Sequence, residues 1–513
     1  MAEVHSPRTA ALFPGQGAFD GRALIGAAAR YPEIGTVFAE IDEVTAPVAG
    51  RKLSEIVLGS GPVTIGDLLA DEPWVSQLAI YGVDVAVHRV LSGLGMRPDV
   101  LMGHSLGEVA ALVCGGVYTV SDGARVIWQR IAAISSLELR GGYMAALSTD
   151  AGRAGHLVEL LADDSLAVAV ENHSGQTVLS GSGAAMDLVR QVAGVLRLPV
   201  ARLDSLVPYH CPLLTPAVER FADAIRAIPV APGHSRVYSP IQQRYYTADE
   251  DFGRALAEHL VRPVRFDAAV RRLSDEGVRT FVESGALTTL AKLVTRILEG
   301  ERPSGDGALI VVSALADADN PVEPAVAALR GAGVLAADPA VLAALLPDVV
   351  PEQLKAFWGD RGPAIIDLVR QEYTAYRQTP GASDRGSDGA TEAEPAAGST
   401  ATNPAADAAT AASQTVIPTT ADAPSVESLG EELRGLYAEA LEYPEEVFTD
   451  DVLLEADLGI DSVKQMELFS RVAERYGLPA RPEGFRLADH NTMGKVVQYV
   501  HTMIDKAGNA SAV

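Results

Sequence analysis

Cysteine is nearly missing from this chain of 513 residues, which contains two, Cys114 and Cys211. Two such thiols make no disulfide framework. No Cys/His spacing suits a zinc site, so no metal is expected. Aromatic residues are scarce at 5%, and 41 Lys and Arg stand against 67 Asp and Glu. The formal charge of −26 would be repelled by nucleic acid and by anionic membrane, which argues against both as partners. Long apolar runs are missing too. None reaches the length of a membrane span, and the start Met1-Ala-Glu-Val-His-Ser-Pro-Arg8 has no signal-peptide pattern. A soluble, cytoplasmic protein is expected.

What is present is an ample apolar content of 48%, rich in Ala, Gly and Val, in a chain too long for one core. Its most pointed stretch is Val100-Leu-Met-Gly-His-Ser-Leu-Gly-Glu-Val-Ala-Ala-Leu112. An apolar run ends at Gly103, Ser105 sits inside Gly-x-Ser-x-Gly, and a helical pattern follows at once. That is the strand–turn–helix setting of a nucleophilic serine. It equally suits a Gly-rich connection whose serine caps the helix. Earlier, the strand Thr9–Phe13 runs into Pro14-Gly-Gln-Gly17, which is either a plain turn or a place where backbone N–H groups face an anion.

Helical patterns with short loops fill the chain to about residue 95, with Ser76–Val90 spaced for a buried helix. Val120–Leu137 reads as another, with Ser121 and Asp122 suited to its N-terminus. From Gly141 the period changes, and the order strand–helix–strand–strand–helix–strand follows to about residue 205. This is the order of a small ferredoxin-like unit. It interrupts a larger α/β body that resumes at Pro208 and closes near Leu315. Residues from about 320 to 377 are helical in pattern. The stretch from Thr379 to about Pro424 is Ala, Thr, Ser, Pro and Gly with scattered acids and no aromatic residue, the composition of a disordered tether.

A unit of amphipathic helices follows, Val426 to about Lys506, with 17 acids against eight bases. At its heart lies Asp457-Leu-Gly-Ile-Asp-Ser462, where a helix begins. A serine there is either a simple N-cap or a site for a phosphodiester in the helix dipole. The motif and the amphipathic helix after it resemble acyl carrier proteins. That resemblance implies a four-helix bundle with 4′-phosphopantetheine on Ser462. Val426–Leu441, Val463–Tyr476 and Met493–Met503 match the family's long helices. Lys464 puts a base on an otherwise acidic recognition helix.

Residues 9 to about 315 in turn resemble the malonyl-CoA:acyl-carrier-protein transacylases, including polyketide-synthase acyltransferase domains. The matching pieces are Phe13–Gly17, Gly103–Glu108, Gln129-Arg130, Asn172, Gln176, Ser180-Gly181, His210 with Pro212-Leu213, and Pro263–Phe266. The resemblance implies an α/β-hydrolase-like large subdomain carrying the ferredoxin-like insert. It implies Ser105 as nucleophile, His210 as its base, and the backbone N–H groups of Gln16 and Leu106 as oxyanion donors. Arg130 matches the arginine that grips a substrate carboxylate, with Ile131 and Tyr209 in the pocket wall. His259 stands in the histidine-orienting region, where the family usually has Asn or Gln. Val207-Pro-Tyr-His210 matches neither the malonyl-associated nor the methylmalonyl-associated pattern.

The expected organisation is an acyltransferase at 1–318 (small subdomain about 141–205), a helical adaptor at 319–378, a linker at 379–424 and a carrier protein at 425–506. The expected activity moves a malonyl-type group from acyl-CoA through acyl-Ser105 to a carrier thiol. Expected partners are its own and separate carrier proteins, polyketide- or fatty-acid-synthase components, and a phosphopantetheinyl transferase. Alternatives are an unusual extender or starter unit, a thioester hydrolase of the same fold, an α/β-hydrolase esterase, and a scaffold whose first domain is inactive.

Overall fold

Five consecutive buried residues, Thr9 to Phe13, make β1 (Arg8–Phe13) the centre of a sheet covered on both faces in the computed structural model. The structure describes residues 8–299 apart from 60, 138, 140, 204 and 206, then 308–316 and 321–335. Five single positions between 353 and 368, residues 426–441, and parts of 448–476 and 490–510 complete it.

After β1 come α1 (Gly21–Ala28), α2 (Pro32–Ala49), α3 (Leu53–Val57), α4 (Ile65–Ala70) and α5 (Pro73–Gly93). Helix α5 is buried nearly all round, as expected for a helix wedged into a core rather than laid on a surface. Then β2 (Val100–Gly103) leads into α6 (Gly107–Cys114) and α7 (Val120–Ser135). Helix α7 is capped by Thr119, whose hydroxyl accepts the Asp122 N–H; the cap lies just before the Ser121 and Asp122 expected from sequence.

The change of period at Gly141 is a second sheet. It is built from β3 (Tyr143–Leu147), α8 (Ala151–Leu161), β4 (Ala167–His173), β5 (Gln176–Gly181), α9 (Gly183–Val195) and β6 (Val200–Arg202). Strand β3 runs antiparallel to β5 and β6, and β4 antiparallel to β5. Leu147, Leu157, Leu179, Met186 and Val189 form its own core beneath the two helices.

The chain returns through α10 (Thr215–Ile225), β7 (Arg236–Ser239), β8 (Arg244–Tyr245), α11 (Phe252–Glu258) and β9 (Val264–Arg265). It continues with α12 (Phe266–Asp275), β10 (Val278–Ala286), α13 (Thr289–Leu298), β11 (Ile310–Leu315) and α14 (Glu323–Gly331). The large sheet has the order β11-β10-β1-β2-β7-β8, parallel except for β8. Phe13 pairs with Gly103, so the Pro14–Gly17 turn and the Ser105 turn leave adjacent strands at the same edge. The small sheet has the order β6-β3-β5-β4-β9. Its β9 comes from beyond residue 205 and pairs parallel with β4, Val170 against Val264, so the small sheet is not confined to 141–205.

Near the C-terminus, α15 (Val426–Leu441) and α16 (Met493–Ala510) share a core in which Leu433, Tyr437, Phe448, Leu468, Phe469 and Val500 are buried. Ser462, the 379–424 linker and most of the expected 319–378 adaptor lie outside the described residues. Among the described residues no helix is long and apolar enough to cross a membrane, and no group of His, Cys, Asp and Glu could hold a metal ion.

Candidate active site

Where β2 meets α6, Ser105 takes a φ of 54°. A non-Gly residue there is strained, and the strain lifts the hydroxyl out of the turn. The flanking glycines make the turn possible by their lack of a side chain. A Cβ on Gly103 would strike the Gly107 and Glu108 backbone, and one on Gly107 the Phe13 carbonyl. The neighbouring turn is equally tight, since a Cβ on Gly15 would come within 2.6 Å of the His104 carbonyl.

Ser105 Oγ lies 2.7 Å from His210 Nε2, and His210 Nδ1 lies 2.9 Å from the Arg262 carbonyl oxygen. The carbonyl can only accept, so Nδ1 carries the proton and Nε2 is left to accept from the serine. That tautomer turns a hydroxyl into a nucleophile. His210 also has a positive φ, 59°, and is 2% exposed. Burial first, then the positive Arg130 nearby, hold its pKa down to about 3, so the ring is neutral across the working range. Among the described residues no carboxylate stands behind this histidine, and the Arg262 carbonyl orients it. That carbonyl belongs to Arg262 and not to His259, the residue the sequence brought forward. The His259 side chain instead faces Glu108 at 3.0 Å.

Among the described residues, neither the Gln16 nor the Leu106 N–H meets an acceptor. Both sit beside Ser105, one in the neighbouring turn and one in the next residue. On the other side, Arg130 is buried on α7 with its Nη1 2.5 Å from Gln77 Oε1. Its guanidinium carbon lies 4.3 Å from the centre of the Tyr209 ring, and Gln77 Nε2 donates to the Tyr209 hydroxyl at 3.1 Å. Burial lowers the Arg130 pKa from its ordinary value. Among the described residues this buried cation has no acidic partner, and the Tyr209 ring beside it immediately precedes His210 in the chain. Ile131, half-buried, packs against the main core. His104 Nε2 meets Asn172 Oδ1 at 3.3 Å, and Asn172 Nδ2 donates to Gln176 at 2.8 Å, so the small sheet touches the nucleophile turn.

These contacts bring a serine hydroxyl, a neutral histidine held by a carbonyl, and a buried arginine together at one end of the large sheet, and known proteins share this frame. Residues 12–315 match the acyl transferase domain family, and residues 431–500 match the phosphopantetheine attachment site family. The chain belongs to the acyl transferase family. It is 30% identical over 298 residues to the malonyl CoA-acyl carrier protein transacylase of Escherichia coli O157:H7, covering 92% of that protein and 56% of this one. It is 30% identical over 385 residues to polyketide synthase GfsB of Streptomyces halstedii, covering 74% of this chain but 6% of that much longer protein. The solved structure of the Coxiella burnetii malonyl CoA-acyl carrier protein transacylase superposes with a TM-score of 0.53 at 28% identity, covering 58% of this chain and 93% of that one. The acyl transferase thus has the family's mixed α/β fold, followed by a phosphopantetheine attachment domain.

Sequence reasoning placed Ser105, His210, Arg130 and Tyr209 in this acyl transferase, and the structure brings them together. It missed Gln77, the Arg262 carbonyl and the partners of His259. Gln77 left a signal, as one of several polar side chains on a helix otherwise spaced for burial; a backbone carbonyl leaves none.

Proposed function

We propose that this acyl transferase moves a carboxylate-bearing acyl group, malonyl first, from coenzyme A through Ser105 to a carrier protein, its own C-terminal domain included. The observation that carries the reading is the 2.7 Å Ser105–His210 contact with a buried, acid-free Arg130 held in the same wall. His210 takes the hydroxyl proton as Ser105 attacks the thioester carbonyl, then returns it to the departing thiol. The free N–H groups of Gln16 and Leu106 receive the oxyanion, where donors fixed in advance cost nothing at the moment of reaction. Arg130 pairs with the acyl carboxylate. A neutral acyl chain would leave that guanidinium desolvated and unpaired. Tyr209, stiffened by Gln77, favours a small group at the carbon next to the carbonyl and supports malonyl over bulkier units.

In the second half-reaction His210 would hold the proton of an incoming thiol and return it to Ser105 Oγ as the acyl–serine bond breaks. Phosphopantetheine on Ser462 supplies that thiol when bound. The flanking residues suit an attachment serine: Ile460 is buried in the C-terminal core, and Gln465 Nε2 donates to its carbonyl at 2.5 Å.

The same reading divides the chain into an acyltransferase (1–318), an adaptor (319–378), a linker (379–424) and a carrier (425–506). It treats the larger sheet as an α/β-hydrolase-like subdomain, and β3-α8-β4-β5-α9-β6 as a ferredoxin-like one whose antiparallel order supports the assignment. The carrier is a four-helix bundle. A cytoplasmic polyketide or fatty-acid synthase supplies its partners, and a phosphopantetheinyl transferase its prosthetic group.

The test is to convert the full chain to its holo form, add malonyl-CoA, and follow malonyl on the Ser462 peptide beside free malonate in solution. Malonyl on that peptide in the wild type, and none in Ser105→Ala, is the expected result. Rapid malonate release with an unloaded carrier supports the hydrolase alternative. Loading that survives Ser105→Ala supports the scaffold.

A further inference from the structure

The two halves of the serine–histidine pair are carried by different parts of the fold, and one buried cluster joins them behind the site. Glu108, in the first turn of α6, is fully buried, and its N–H bonds back to the Ser105 carbonyl at 3.0 Å. Its carboxylate accepts from Ser239 Oγ at 2.9 Å and from the Tyr246 hydroxyl at 2.7 Å, and faces His259 Nε2 at 3.0 Å. Each of these groups needs the others, because a buried carboxylate is tolerated only when its lone pairs are satisfied.

His259 ends α11, and the chain then makes one turn. The Val261 and Arg262 N–H groups both return to the Glu258 carbonyl, at 3.1 and 3.0 Å. The Arg262 guanidinium is held as well, by Glu258 at 3.0 Å and by Gln242 at 2.6 Å. At the end of that turn the Arg262 carbonyl orients His210. The path closes on itself: Ser105, His210, the Arg262 carbonyl, the 259–262 turn, His259, Glu108, and back along α6 to Ser105.

We infer that Glu108 and His259 are positioning residues for the nucleophile and its base. Their contact fixes the spacing between the helix that follows the Ser105 turn and the turn that orients His210. Neither touches the reacting atoms. With no carboxylate behind His210 among the described residues, the ring depends on one carbonyl, and that carbonyl is only as well placed as the turn bearing it. Losing the strut lets α11 drift from α6, and misplacement on the scale of an ångström costs about 100-fold in rate. The inference rests on Ser105 and His210 acting as nucleophile and base, and is independent of which acyl group they carry.

The experiment uses the full chain and two readouts. One is the second-order rate of Ser105 phosphonylation by a fluorophosphonate, which reports activation of the serine without any acyl substrate. The other is kcat and KM with malonyl-CoA. Folding of each variant is followed by circular dichroism. His259→Leu is expected to lower both the phosphonylation rate and kcat by about 10- to 100-fold, with KM nearly unchanged. His259→Gln, whose amide N–H can replace the ring N–H toward Glu108, recovers most of the loss. The double variant with Glu108→Gln is no slower than the slower single variant, because both remove one contact. Folded His259→Leu that reacts at the wild-type rate overturns the inference, and so does His259→Gln that is as slow as His259→Leu. If His259→Leu does not fold, Glu108→Gln, which keeps the shape but replaces one accepting oxygen with an NH2 donor, carries the same expectation and the same refutation. A response in phosphonylation from a chain inert toward malonyl-CoA would uphold the strut and reject the substrate reading instead.

Discussion

Lowering the pH from 7.5 to 5 should leave the kcat/KM of malonyl transfer almost unchanged. His210 must be neutral to accept the serine proton, so activity is lost as pH falls through its pKa. An unperturbed imidazole, near 6.5, would be about 97% protonated at pH 5 and the rate would drop about 30-fold. His210 is not unperturbed. Burial, then Arg130, His259 and His104, hold it down to about 3, and the only opposing influence is its hydrogen bond to the neutral Arg262 carbonyl. At pH 5 the protonated fraction is then about 1%. The assay is initial-rate malonyl transfer at constant ionic strength, with subsaturating malonyl-CoA and excess holo carrier. Folding needs a parallel check, because stability falls in the same direction and at a higher pH. Below about pH 6.5 the unfolded chain takes up protons that folded His88 refuses until about 4 and folded His210 until about 3. Stability therefore falls with pH, by about 1.4 kcal/mol per unit for each histidine. A break in kcat/KM near pH 6.5, in protein that remains folded by circular dichroism, would refute the reasoning about His210.

Three substitutions probe the rest of the site. Arg130→Leu should lower kcat/KM for malonyl-CoA by about 30-fold or more, since truncating one side of a buried charge pair costs about 2–5 kcal/mol, while acetyl-CoA gains relative to malonyl-CoA; equal losses for both would argue against a carboxylate clamp. Tyr209→Ala should raise methylmalonyl-CoA use relative to malonyl-CoA by about 10-fold or more, the scale of one extra methyl in a pocket, measured by competition. Gly107→Ala drives a methyl into the Phe13 carbonyl at the join of β1 and β2, so a lower melting temperature and a nearly inactive protein are expected; wild-type melting and activity would contradict the packing described.

Some of this architecture was written in local pattern and some was not. The Ser105 turn was legible because every part of it is contiguous: an apolar strand, two glycines that only a sharp turn requires, and a helix. The strands β3 and β7 and the helix α8 were readable at the residue level for the same reason. His210 was different. It follows a stretch without period, and its partner is 105 residues away, so only resemblance brought it forward. The orienting carbonyl of Arg262 had no signal at all, because a backbone oxygen is the same in every residue. Strand β9 is two residues long, too short for alternation to register, yet it ties the small sheet to the body. Glu108 was legible only as an exception, a polar side chain within an otherwise apolar helix, and Gln77 as one of a few polar residues, with Ser76, Asp84 and His88, on the buried α5.

The most direct measurement of the central claim is intact-mass analysis and peptide mapping of the Ser462→Ala chain after a brief incubation with malonyl-CoA. With the carrier thiol removed, the acyl group has nowhere further to go. The account predicts one malonyl group per chain on the peptide containing Ser105, and none in the Ser105→Ala, Ser462→Ala double variant. An unmodified Ser105 peptide under conditions where the wild-type chain loads its carrier would contradict it.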